Sequence, residues 1–166
     1  DHYLFTEYQR TLDQMLGVTG MRKLGNLLFV YTPAAVYRLS YVGLPKVVRV
    51  DPASTECGNT LPYTVVDNGY VHFFLDWEGH MFYENDGENL PQPIGGPGLL
   101  DNFTTDFSLL QKTWGYVNRR WKEVVWNYVS RDSTGAFDRA LAYNYKEKKW
   151  SERAVEDIHS FCGSCA

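Results

Sequence analysis

Three stretches of the chain share one pattern: an apolar run, a polar turn and a second apolar run. "NLLFVY" (26–31) and "AVYRLSYV" (35–42) flank a turn at "TPA", and "YVHFFL" (70–75) and "HMFYEN" (80–85) flank "DWEG". "KEVVWNYV" (122–129) and "ALAYNYKEKKW" (140–150) flank the longer polar loop "SRDSTGAFDR". β-Branched and aromatic residues fill every run, as a pleated, half-buried surface requires, so each pair predicts an antiparallel hairpin. "DGENLPQP" closes the second pair, because Asp and Gly favour turns and Pro cannot donate to a sheet ladder.

Gly25, Gly69 and Lys122 open equivalent runs, at offsets of 69 − 25 = 44 and 122 − 69 = 53 residues. Repeats of about 40–50 residues are the spacing of propeller blades, each one small antiparallel sheet. The expectation is an all-β chain of about three propeller-like blades, a partial ring; a sandwich or barrel meander of unrelated hairpins is the alternative. Helical spacing is arguable only in "TEYQRTLDQMLGVTGMRKLGN" (6–26), at Leu12, Met15 and Leu16, and Gly17 and Gly20 end it. This divides one structural unit into a strand or helical lead-in (1–24), blades (25–154) and a C-terminal tail (155–166). "IGGPGLLDNFTTDFSLLQKTWG" (94–115) reads as an inter-blade connection docked by Leu99, Leu100 and Phe103.

Composition agrees with a β-rich core: 16% of the 166 residues are aromatic, with 12 Tyr, and 44% are hydrophobic. The net charge of −4, with no long basic run, disfavours a nucleic-acid grip, although an acidic surface can face DNA without holding it. No stretch approaches the roughly 18–20 apolar residues of a membrane span, and "DHYLFTEYQR" lacks the regions of a signal peptide. The chain begins without Met, inside what reads as a strand, so a piece of a longer protein is expected. Cys57, Cys162 and Cys165 form no disulfide framework, which points to assembly in a reducing compartment.

Three constellations invite chemistry. Asp76, Glu78 and His80 would project from one hairpin tip, an arrangement suited either to acid–base work or to a solvated turn. Glu84, Asp86 and Glu88 alternate around Gly87 in "ENDGEN", but calcium wants six to eight oxygens and a distal bidentate Glu, so a turn is the plainer reading. His159, Cys162 and Cys165 have ligand-like gaps without a nearby fourth zinc ligand, and no βαβ context surrounds the CxxC pair. "NFT" (102–104) matches a glycosylation sequon that has no secretory signal to give it meaning. No phosphate loop, GxSxG elbow or HExxH helix occurs in the sequence.

The passage "LLFVYTPAAVYRLSYVGLPKVVRVDPASTECGNTLPYTVVDNGYVHFFLDWEGHMFYENDGENLPQPIGG", followed by "KEVVWNYVSRDSTGAFDRALAYNYKEKKWSE", resembles the propeller-like domain of bacteriophage tail proteins, the nozzle or hub components of short-tailed phages. The resemblance covers residues 25–154 and rests on blade-strand motifs. It implies a non-enzymatic virion component in a DNA-ejection conduit or fibre-attachment platform, assembled in the host cytoplasm with other tail subunits or copies of itself. It implies no catalytic, cofactor-binding or metal residues, no specific nucleic-acid binding and no membrane span. The basic group Arg119, Arg120 and Lys122 would then meet an acidic neighbouring subunit. The alternatives are a receptor- or glycan-binding propeller, with Trp77 and nearby Tyr stacking on sugars and "ENDGEN" bonding hydroxyls, or a glycosidase with two facing carboxylates.

Overall fold

The computed structural model describes residues 17–45, 47–78 and 80–155. It is all-β: among the described residues twelve strands form three four-stranded antiparallel meanders, each taken from one continuous stretch of the chain. Blade 1 holds β1 (Gly20–Leu24), β2 (Leu27–Tyr31), β3 (Val36–Tyr41) and β4 (Val48–Ser54). Blade 2 holds β5 (Val66–Asp67), β6 (His72–Asp76), β7 (Met81–Asn85) and β8 (Gln92–Gly95). Blade 3 holds β9 (Trp114–Asn118), β10 (Glu123–Tyr128), β11 (Arg139–Asn144) and β12 (Lys149–Ala154). Among the described residues the sheets do not close into a ring.

The three hairpins legible in the sequence are the central pairs β2–β3, β6–β7 and β10–β11. Gly25, Gly69 and Lys122 occupy the same place in each blade, the turn into the second strand, and all three have left-handed φ, at 58°, 98° and 58°. Two expectations need correction. Gly20–Leu24, placed in the strand or helical lead-in (1–24), is β1, so the first blade begins there and not at residue 25; residues 1–16 lie outside the described residues. The run 140–150 is not one strand: Asn144 Oδ1 accepts the amides of Lys146 (3.1 Å) and Glu147 (2.9 Å), Lys148 takes φ 57°, and the chain reverses into β12.

Blade 2 is packed on both faces, which is why β6 is buried at every position. Its Phe74, with Val65, meets Leu24, Phe29, Tyr31 and Val36 of blade 1. Phe73, Leu75 and Phe82 face the other way, into a core shared with Val124, Trp126, Tyr128, Leu141 and Tyr143 of blade 3. Alternation along β6 therefore sends successive side chains into two different cores. Polar bonds pin the second seam: the Trp126 indole donates to Thr64 O at 2.9 Å, and the Trp150 indole to Ile94 O at 2.9 Å. Trp126 needs the space beside Gly115, where an added Cβ would lie 2.8 Å from its ring.

The 94–115 connection behaves as its sequence suggests. After β8 a short 3₁₀ turn (Pro97–Leu100) and a four-residue helix, α1 (Phe107–Leu110), lead to β9, with Leu100, Phe103 and Leu110 in the core. Phe103 stacks on Tyr128 at 3.7 Å between ring centres, and the Asp106 side chain caps α1 by accepting Ser108 N–H at 2.9 Å.

Candidate functional site

The Asp76–Glu78–His80 constellation comes apart in three dimensions. Asp76 ends β6 on the face that carries Phe74, is buried, and accepts the amide of Gly58, in the connection after β4, at 3.4 Å. Gly58 must be glycine there, because a Cβ would lie 2.1 Å from Pro33 O. Glu78 and His80 are exposed in the β6–β7 turn. His80 precedes β7, has φ 50°, and sets its ring edge-on to Trp77 at 5.6 Å, so Glu78 and His80 share no strand face.

The "ENDGEN" polar groups are consumed locally. Asp86 accepts the Glu88 amide (3.0 Å), the Asn89 amide (2.8 Å) and Asn89 Nδ2 (2.8 Å), and these bonds, Asn89 foremost, hold its carboxyl below the ordinary range. Glu84 pairs with Lys148 at 2.9 Å across the seam between blades 2 and 3. Trp77, the proposed sugar platform, is half-buried and packs against Phe103 at 6.1 Å. Among the described residues no group of three His, Cys, Asp or Glu side chains is placed to hold a metal ion. His159, Cys162 and Cys165 lie outside the described residues. Cys57 is an unbonded, buried thiol whose burial pushes its pKa up, and it donates to Ser54 Oγ at 3.3 Å.

The polar centre that sequence reasoning missed lies between blades 1 and 2. His72 is fully buried, its Nε2 3.3 Å from Lys23 O and its Nδ1 2.9 Å from the Tyr31 hydroxyl. A carbonyl only accepts, so Nε2 carries the proton and Nδ1 accepts from Tyr31. Asn85 Nδ2 donates to the same hydroxyl at 3.3 Å, and Asn85 Oδ1 accepts the Gly87 amide at 3.0 Å. Burial lowers the His72 pKa and raises that of Tyr31, so both stay neutral. Every polar atom in this chain of bonds has a partner in the fold, which makes it a structural clasp between sheets.

The surface that remains open is the far side of blade 1. Register puts Leu28 opposite Leu39 on the face turned away from Phe29 and Tyr31, while Val30, opposite Met21 on the same face, is buried. Val50 continues the face across Leu39. Met21 and Tyr41 are 54% and 76% exposed, and Lys23, Leu28, Leu39 and Tyr41 line an open depression of about 360 Å³. Composition alone marks these strands as half-buried; which face lacks a neighbour depends on blade order. No protein-family model matches the chain, and no curated protein matches it.

Proposed function

We propose that this chain is a structural subunit of a bacteriophage tail, of the nozzle or hub type its sequence resembles, contributing blades to a larger ring or platform and turning over no substrate. One observation carries the reading: the outer face of blade 1 has the apolar make-up of the inter-blade cores, yet meets no fourth sheet among the described residues. Blade-like sheets bury their faces only by stacking, and contiguous exposed apolar surface marks an interaction site. Here the partner is a neighbouring subunit, first of all another copy of the chain.

Sedimentation of the full chain tests this. The expected result is concentration-dependent association that is lost in Leu39→Glu, which sets a charge in the middle of the face. Met21→Glu, at an exposed edge position, weakens association with no loss of folded stability. A wild-type chain that stays monomeric throughout the micromolar range sinks the proposal, as does association indifferent to both changes.

A further inference from the structure

At the seam of blades 2 and 3, three turns border a cleft of about 680 Å³ lined by Asn68, Tyr70, Arg119, Lys122, Tyr145 and Lys146. The turns are fixed to one another. Tyr145 N–H donates to Lys122 O at 3.0 Å, and Asn144 Nδ2 donates to Trp121 O at 3.2 Å. Asn68 Oδ1 accepts the amides of Tyr70 (2.9 Å) and Val71 (2.8 Å), which fixes the first turn. Tyr145 is held by stacking on Phe73, 5.9 Å between ring centres at 29°, whereas Tyr70 stands 83% exposed.

The charge of this cleft runs against that of the molecule. The chain has 20 acidic and 16 basic residues, and nearby cations find acids: Lys148 meets Glu84 at 2.9 Å and Lys149 meets Glu147 at 3.7 Å. Arg119, Lys122 and Lys146 share one cleft, and none of them makes an ion pair with a described residue. Three cations lining one cleft favour an anion among them, and the guanidinium fork matches a planar carboxylate. Tyr70 and Tyr145 add flat faces that combine an apolar body with a polar tip. The volume falls within the roughly 300–1,000 Å³ of small-ligand sites.

We propose that this cleft binds an acidic saccharide, with the sugar ring against Tyr70 and Tyr145 and its carboxylate between Arg119, Lys122 and Lys146. Duplex DNA is a poorer match. It presents a charge about every 1.7 Å along its axis and rewards cations strung along a track, while here three cations occupy one recess on an acidic molecule.

The test is titration calorimetry of the full chain with hexagalacturonate, uncharged maltohexaose and a short DNA duplex. Hexagalacturonate is expected to bind and maltohexaose not to. Arg119→Glu combined with Lys146→Glu, both on exposed turns, lowers affinity at least about tenfold, equal to about 1.4 kcal/mol. Tyr70→Ala lowers it about threefold without changing the melting temperature. Binding weakens as ionic strength rises from about 0.01 to about 1 M, where screening shortens from about 30 to about 3 Å. Absence of hexagalacturonate binding, equal binding of maltohexaose, or affinity untouched by these substitutions overturns the proposal. Tighter binding of the duplex through the same residues overturns the saccharide assignment in favour of nucleic acid.

Discussion

His72 is the residue whose chemistry most directly couples to stability. Its folded pKa is lowered from an ordinary 6.5, mainly by burial, with Asp67 raising it and Arg22 lowering it as opposing minor influences. The sign follows: above about pH 6.5 both states hold a neutral ring and it contributes nothing, while below that the unfolded chain takes up a proton that the folded chain refuses. Stability therefore falls on acidification, by up to about 1.4 kcal/mol per pH unit until the folded pKa is reached. His72→Gln, uncharged and able to bridge Tyr31 and Lys23, should flatten the loss between about pH 7 and pH 5 in denaturant melts; equal slopes would remove His72 from the account. The lowered carboxyls of Asp86, Asp106 and Glu152 lose their contribution only in more acid solution, since their ordinary values are 3.8, 3.8 and 4.5. None of this was legible in the chain, because Tyr31 lies 41 residues from His72 and their meeting depends on how two sheets stack. Proximity in sequence drew attention to Asp76, Glu78 and His80, and β6 separated them by turning Asp76 inward.

At the scale of elements, the central strands were readable and the edges were not. Central strands such as "HFFLD" and "EVVWNY" bury both faces, so their apolar runs are long. The outer strands "GMRKL", "VRVDPAS", "QPIG" and "KWSERA" carry the charges and prolines that edges tolerate, and those residues mask a strand pattern. The Lys146–Lys148 reversal was missed because it contains neither Gly nor Pro and relies on Asn144 to bond its amides. The turns into β2, β6 and β10 give a direct test of the blade repeat. Lys122 holds a left-handed conformation that Gly25 and Gly69 adopt without a Cβ penalty. Lys122→Gly should raise unfolding free energy by up to about 1 kcal/mol, the relieved strain exceeding the added chain entropy, and Gly69→Lys should lower it. Destabilisation by Lys122→Gly in urea titrations would show that the three turns are not equivalent.

Across the whole molecule, the sheets form a short stack in which each blade contacts its sequence neighbour, and burial rises from blade 1, with its open face, to β6 and β10, buried at every position. Amide exchange should follow that gradient. β6, buried at every position, is expected to exchange only through global unfolding, and β1 and β3, on the blade with an open face, through partial opening. Hydrogen-exchange mass spectrometry reads this directly, and faster exchange in β6 than in β3 would contradict the packing. The sandwiching of blade 2 also bears on synthesis. As the chain leaves the ribosome, the middle sheet has only one of its two walls, and Phe73, Leu75 and Phe82 stay uncovered until the last third is made. A nascent chain halted before residue 123 therefore displays a greasy half-core to solvent, which makes the second blade the natural foothold for chaperones and the point at which truncated products aggregate.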